Sequence, residues 1–126
     1  MINITGIDHI VLRTNCIDKM LNFYCDILGC SIENHQKALR LTQLRVGDNL
    51  IDLIEVDGFI DNNNPNMEHF CLRIWPFDFQ ALTTYFQQHQ IEILRYGDRY
   101  GSDGMGLSFY VKDPQGNEIE LRGVKP

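Results

Sequence analysis

The sequence has no excess of basic residues and no long apolar run, and both absences exclude classes of partner. Its 126 residues include 11 Lys and Arg against 17 Asp and Glu, which gives a formal net charge of −6. A chain of this charge is repelled by the phosphates of nucleic acids and by anionic bilayers. No stretch approaches the roughly 18 consecutive apolar residues that a transmembrane helix needs. We therefore expect no nucleic acid partner and no membrane span.

The sequence also lacks a secretory leader and a C-x-x-C pair. Its first residues, MINITGIDHIVLRT, contain neither the basic segment nor the continuous apolar segment of a signal peptide. A chain of this length does not need disulfide bonds to fold. We expect a cytoplasmic protein with reduced, structural thiols at Cys16, Cys25, Cys30 and Cys71.

The two halves of the chain show the same order of secondary structure. An apolar, β-branched segment is followed by a helical pattern and then by three extended segments. After an Asn-rich stretch, this order of strand, helix and three strands repeats. The length fits a single domain. The sequence therefore predicts an α+β fold of two βαβββ modules, at about 5–56 and 67–124, with a linker at 57–66.

Several boundaries within the modules have local signals. Asn15 is a helix-capping candidate, and Gly29 ends the first helical pattern. The second helix is predicted to begin after Pro76, and the next strand to cover residues 91–97. The segment at 96–106 has four glycines and is interpreted either as a mobile cover over a site or as a long hairpin loop.

Residue identities repeat along with the order of elements. The opening strands align at an offset of sixty residues, so that His9 and His69 coincide. Because alternate side chains of a strand face opposite sides, both histidines face away from the helix, as do Asp52 and Glu120 in the last strands. If the sheets curl into a barrel-like arrangement, these four side chains line a shared trough. His and carboxylate ligands suit Zn, Ni, Co, Mn or Fe(II), so we predict one divalent ion there.

Other polar residues receive weaker interpretations. Arg13 and Arg73 share the face of the two histidines and can hold an anionic part of a substrate, although ordinary strand-end arginines fit equally well. His35 lies in a polar strand and His89 among glutamines, so we expect both at the surface rather than at a metal.

Four segments of the chain carry a family resemblance. They are the opening strand with His9, the helical FYCDILG from Phe23, the mid-chain His69, and the ending FYVKDPQGNEIEL from Phe109. Through these segments, residues 6–122 resemble the vicinal oxygen chelate superfamily. That group contains glyoxalase I, extradiol ring-cleavage dioxygenases, fosfomycin-resistance proteins and bleomycin-binding proteins. The resemblance implies paired βαβββ modules.

The resemblance also implies a ligand set and an assembly. It implies a metal held by His9, His69 and Glu120, and it places Asp52 where glyoxalases carry a glutamate. Relatives commonly pair modules between chains, and each module alone exposes an apolar sheet. We therefore expect a homodimer.

Several reactions remain open within this family. A glyoxalase I-like reaction is favoured slightly, with Glu120 as first choice of base, Asp52 as second, and a thiol such as glutathione in the substrate. Ring cleavage with Tyr110 orienting a catechol is the alternative, but the histidine expected shortly before Phe109 is missing. A fosfomycin-type thiol transferase and a metal-free binding protein for small molecules complete the alternatives.

Overall fold

The computed structural model describes most of the chain, namely residues 1–5, 7–63, 65 and 67–126. Gly6, where the resemblance begins, and Asn64 and Asn66 of the predicted linker lie outside the described residues. The chain divides into two compact units, Met1–Ile60 and Asp61–Pro126.

Each unit contains one four-stranded mixed sheet and one main helix. The first unit comprises, in chain order, β1 (His9–Thr14), α1 (Ile17–Leu21), a π-helical segment (Asn22–Ile27), β2 (Ser31–Gln36), a short 3-10 turn (Lys37–Leu39), β3 (Leu41–Val46) and β4 (Asn49–Glu55). The second comprises β5 (Phe70–Ile74), α2 (Phe79–Gln88), β6 (Arg95–Gly101), β7 (Gly104–Lys112) and β8 (Glu118–Gly123).

The two sheets have the same topology. Their strand orders are β1-β4-β3-β2 and β5-β8-β7-β6. In each sheet the first strand runs parallel to the last, and the other neighbours are antiparallel. The helix supplies the crossover that a parallel pair requires. The predicted α+β fold of two βαβββ modules is confirmed.

The helix of the first unit begins one residue later than its predicted cap. Cys16, not Asn15, precedes α1, and the Asn15 side chain donates a hydrogen bond to the carbonyl of Gly58. The prediction that Asn15 is the capping residue is therefore wrong. The end is as predicted, because Gly29 adopts a φ of +84°, which a glycine reaches without steric cost. The helix buries Met20 and Tyr24 completely.

The helix of the second unit follows Pro76 as predicted. The Asp78 carboxylate accepts a hydrogen bond from the Ala81 amide and caps its first turn. Its face buries Phe86 against Phe109 of β7, with ring centroids 5.6 Å apart. Phe109 is fully buried and also contacts the rings of two further phenylalanines, Phe77 and Phe79.

The glycine-rich segment is not a long loop, because most of its residues lie in two paired strands. It forms most of a regular β6–β7 hairpin whose strands are joined at Ser102 and Asp103, and β6 starts at residue 95 instead of 91. Two of the glycines are explained by packing against Arg122, which is buried. A Cβ on Gly101 would lie 3.0 Å from the Arg122 guanidinium, and a Cβ on Gly106 would lie 3.1 Å from it. Those two glycines therefore provide space for a large side chain rather than flexibility.

Two simpler expectations agree with the structure. His35 and His89 are both exposed. All four cysteines are free thiols. None of the helices in the described part of the chain has the length and hydrophobicity needed to cross a bilayer.

The aromatic cluster around Phe109 predicts a large stability effect. Replacing Phe109 with Ala should lower the free energy of unfolding by about 3–5 kcal/mol, because it removes a fully buried ring and leaves a cavity. Urea denaturation monitored by circular dichroism measures this change. The control is Tyr100→Ala, since Tyr100 is 82% exposed, and an equal loss in both variants would contradict the assignment of Phe109 to the core.

Candidate functional site

The first unit brings His9 and Asp52 onto neighbouring parallel strands. Val11 of β1 pairs with Asp52 of β4, and His9 lies two residues earlier on the same face. His9 Nε2 is 4.0 Å from Asp52 Oδ2. Asp52 is buried, with 4% of its surface exposed, whereas the His9 side chain is 45% exposed. The Gln43 amide nitrogen, on the other side of β4, lies 3.2 Å from both carboxylate oxygens and donates to them.

The second unit repeats this arrangement with a closer contact. Cys71 of β5 pairs with Glu120 of β8, and His69 lies two residues before Cys71. His69 Nε2 is 3.2 Å from Glu120 Oε1. Three further donors reach the same carboxylate: the Tyr110 hydroxyl at 2.7 Å, the Ser108 hydroxyl at 2.9 Å and the Cys71 thiol at 3.5 Å.

The donors around Glu120 decide its charge state. Burial raises the pKa of this carboxyl group, but the hydroxyl and thiol donors, together with nearby His69, outweigh burial and leave the pKa below its ordinary value. Glu120 is therefore a carboxylate at neutral pH with both oxygens engaged. A carboxylate of this kind is a better metal ligand than general base.

Tyr110 and Cys71 donate hydrogen bonds to the Glu120 carboxylate. Burial, followed by the bond to Glu120, raises the pKa of the Tyr110 hydroxyl. The guanidinium of Arg95 lies 4.0 Å from the centroid of the Tyr110 ring and stacks on it. Partial burial, followed by the charge of Glu120, raises the pKa of the Cys71 thiol to about 12, so that thiol stays protonated and unreactive.

Each histidine has an acidic neighbour on its second ring nitrogen. His9 Nδ1 is 2.6 Å from Asp8 Oδ1, and this hydrogen bond raises the pKa of His9. His69 Nδ1 is 3.3 Å from Glu68 Oε1 but makes no hydrogen bond within the described part of the chain. In both units Nε2 is therefore the nitrogen that faces the strand carboxylate.

The two arginines predicted to bind substrate differ in their surroundings. Arg73 donates a hydrogen bond to Ser102 at 2.7 Å and forms an ion pair with Asp103 at 2.9 Å, which joins β5 to the turn of the β6–β7 hairpin. Arg13 is exposed on β1. A substrate role for either one stays a prediction.

The His69–Glu120 pair has the separation expected for two ligands of one divalent cation. Ligand atoms bound at about 2.1 Å to one ion lie roughly 3 to 3.4 Å apart at tetrahedral or octahedral angles. The 3.2 Å separation of His69 Nε2 and Glu120 Oε1 falls in this range, whereas the 4.0 Å separation of His9 and Asp52 is wider. Among the described residues, no three His, Cys, Asp or Glu side chains form a group suited to a metal ion. Each pair therefore offers part of a ligand set.

Sequence reasoning missed four residues that contact the predicted ligands. Ser108 has the same strand parity as Tyr110, which came from the family resemblance, so applying the alternation rule to that strand also identifies Ser108. Asp8 and Glu68 each precede a predicted histidine, and this repeat was readable at the sixty-residue offset. Gln43 had no such signal, because its place opposite Asp52 depends on the register of β3 with β4.

Comparisons with known proteins identify one family model and several similar proteins. A model described as the Glyoxalase/Bleomycin resistance protein/Dioxygenase superfamily matches residues 6–121. Metallothiol transferase FosB of Staphylococcus epidermidis is 28% identical over 120 residues, which cover 94% of this chain and 81% of that protein. Glutathione transferase FosA of Serratia marcescens is 23% identical over 118 residues, covering 92% and 79%. The crystal structure of virulence protein STM3117 from Salmonella typhimurium matches with a TM-score of 0.78 and 26% identity over 98% of this chain and 100% of that one.

The contacts of Glu120 predict the effect of removing one donor. Tyr110→Phe should raise the pKa of Glu120 in the metal-free protein, because the lost hydrogen bond stabilised the charged carboxylate while burial still disfavours it. Carbon-detected NMR of labelled glutamate during a pH titration measures this pKa. Tyr100→Phe serves as the matched control, since Tyr100 is exposed. An unchanged Glu120 pKa in Tyr110→Phe would show that the hydroxyl does not stabilise the charge.

Proposed function

This chain belongs to the glyoxalase, bleomycin resistance protein and dioxygenase superfamily, and on that premise we propose that it is a divalent-metal-dependent enzyme acting on a small molecule. Members of the superfamily are generally metal-dependent enzymes. The observation that carries the proposal is the His–carboxylate pair, which occurs at equivalent strand positions in both units. A structural histidine in one unit alone would not explain this repetition.

The proposed ligands are His9, His69 and Glu120, with Asp52 as a fourth candidate. Catalytic metal sites commonly use three protein ligands and keep an open position for water or substrate. A single His–carboxylate pair supplies only two of these ligands. Asp52 ranks last because its oxygen is 4.0 Å from His9 Nε2, which is wider than the separation of two ligand atoms on one ion.

The cation and the protein would have different roles in such a site. A bound divalent ion would supply a Lewis acid that withdraws charge from substrate oxygens. The protein's contribution is to hold Glu120 ionised and correctly oriented through Tyr110 and Ser108, whose hydroxyls donate to its two different oxygens. These contacts restrict rotation of the carboxylate without supplying or removing a proton.

Thiol transfer is the reaction that this arrangement supports best. In opening of an epoxide by a thiol, a carbon–sulfur bond forms, the carbon–oxygen bond breaks, and the thiol proton goes to the released oxygen. That reaction needs an electrophilic cation but no carboxylate base. The lowered pKa of Glu120 supports its role as a ligand, in contrast to the general-base role that the sequence favours. The names of the relatives FosB, a metallothiol transferase, and FosA, a glutathione transferase, support the same reaction class.

A glyoxalase-like isomerisation is the second candidate, and Asp52 is the reason to retain it. This reaction moves a proton between adjacent carbons of a hemithioacetal and therefore requires a base. Asp52 is buried and accepts from one amide, so its oxygens are less fully engaged than those of Glu120. In this reaction Asp52, rather than Glu120, would move the proton.

Metal binding is the first test of the proposal. Purified wild-type protein reconstituted with Zn, Mn, Ni or Co should retain about one ion per chain after desalting, as measured by plasma emission. His69→Ala should lose most of that metal, because a ligand set of three cannot spare one. The matched control is His89→Ala, which removes an exposed histidine. A metal-free wild-type protein that still binds small hydrophobic ligands would replace the enzyme proposal with a binding protein.

Asp52 distinguishes the two candidate reactions. With glutathione or bacillithiol as the thiol, we measure loss of fosfomycin in one assay and thioester formation from methylglyoxal in the other. Asp52→Asn should leave epoxide opening largely intact but lower isomerisation on the order of a hundredfold, because only isomerisation needs the base. Gln43→Ala leaves Asp52 present and serves as a control for local disturbance. Isomerisation that is unaffected by Asp52→Asn would remove Asp52 from the second mechanism.

A further inference from the structure

The residue immediately before each candidate histidine ligand is acidic in both units. Asp8 precedes His9, and Glu68 precedes His69. Their carboxylate oxygens lie 2.6 and 3.3 Å from Nδ1 of the following histidine. The same position in the repeat therefore carries a carboxylate beside the same ring atom, hydrogen-bonded to it in the first unit and at ion-pair distance in the second. A coincidental surface pairing would not be expected to recur at both equivalent positions.

The carboxylate beside Nδ1 determines which ring nitrogen carries the lone pair that can bind a metal. A neutral imidazole has one N–H, and a carboxylate beside Nδ1 favours the tautomer with its proton on that atom. The lone pair then lies on Nε2, which in each unit faces a strand carboxylate, Asp52 at 4.0 Å or Glu120 at 3.2 Å. A lone pair opposite a carboxylate is unfavourable unless a proton or a metal ion lies between them. The flanking acid and the strand acid together thus favour a cation at Nε2.

We infer that Asp8 and Glu68 are positioning residues that orient His9 and His69 to bind the metal through Nε2. The inference rests on the proposed function, because it presumes that these histidines are metal ligands. It adds to the proposed site two residues that do not touch the ion, and it assigns Nε2 as the coordinating nitrogen of both histidines. Carboxylates in this outer position fix the orientation of a histidine ligand and increase its basicity.

Both acidic side chains are exposed, so they keep their positions beside the imidazole rings only if other contacts restrict them. The Asp8 and Glu68 side chains are 91% and 77% exposed. Asp8 is fixed through its backbone, because its carbonyl accepts the amide of Leu50 on β4 at 3.2 Å. Glu68 is held through its side chain, because Arg95 lies 3.7 Å from it. Arg95 is in turn bound to Glu118 at 2.8 Å.

Asp8 makes the stronger of the two contacts with a histidine ring. Its distance of 2.6 Å to His9 Nδ1 is that of a short, charge-assisted hydrogen bond. Glu68 lies within ion-pair distance of His69 Nδ1 but outside hydrogen-bond geometry. We therefore expect the Glu68 contact to tighten when a cation binds at Nε2 and the ring becomes more acidic.

The experiment compares alanine and amide variants of both acids. Asp8→Ala and Glu68→Ala should each weaken zinc binding about tenfold, measured by competition with a chromophoric chelator. Asp8→Asn and Glu68→Gln keep an oxygen acceptor for the ring N–H and should recover part of the affinity. Glu92→Ala is the matched control, since it removes one exposed negative charge without a contact to either histidine and should bind zinc as the wild type does.

Ring NMR separates a positioning role from a general loss of charge or stability. Two-bond proton–nitrogen spectra of histidine-labelled, zinc-loaded protein should show the metal on Nε2 and a slowly exchanging Nδ1–H at both rings. Exchange should accelerate at His9 in Asp8→Ala and at His69 in Glu68→Ala. In metal-free protein at alkaline pH, His9 should be mainly the Nδ1–H tautomer, and Asp8→Ala should shift it toward the Nε2–H form that a free ring prefers.

The outcomes distinguish this inference from the proposed function. Failure of the wild-type protein to bind zinc or another divalent ion would overturn the proposed function and this inference with it. Zinc binding that is equally tight in the wild type and in both alanine variants would overturn the inference alone. Coordination through Nδ1 would do the same, because it places the metal where Asp8 and Glu68 now lie.

Discussion

Parallel pairing of the first and last strand in each unit is the constraint on which the candidate site depends. Pairing of β1 with β4 and of β5 with β8 places a histidine and a carboxylate on one face, two residues apart in register. A parallel pair cannot be made by a tight turn and needs a crossover connection, which in each unit contains the helix and two further strands. The βαβββ order therefore satisfies the requirement of the parallel pair.

The two units use this common scaffold for carboxylates in different environments. Glu120 accepts hydrogen bonds from two hydroxyls and a thiol, whereas Asp52 accepts from a single amide. The closest nitrogen–oxygen separation is also shorter in the second unit, 3.2 Å against 4.0 Å. Duplication followed by divergence of the third strand, β3 or β7, is sufficient to give one strongly held carboxylate and one with more freedom.

The sequence predicted the features that depend on periodicity and repetition. The two histidines follow from the sixty-residue offset, and both carboxylates follow from the matching last strands, Ile51-Asp52-Leu53 and Ile119-Glu120-Leu121. The shared strand face follows from the two-residue alternation. The sequence did not predict the partners of those carboxylates on neighbouring strands, such as Gln43, because register depends on tertiary packing. It also misread the glycines at 96–106, because composition does not show that Arg122 packs against two of them. The homodimer and the cytoplasmic location stay predictions.

The packing of Arg122 restricts how the second unit can change during evolution. Its guanidinium donates to the backbone carbonyls of Arg99 and Gly104, and so ties the hairpin to the strand that carries Glu120. A side chain larger than hydrogen at Gly101 or Gly106 would press on this guanidinium and disturb its bonds to the hairpin. The outer face has no such contact, since Tyr100 and Met105 pair there and are both exposed. New specificity is therefore more accessible through the outer residues of the hairpin than through its glycines.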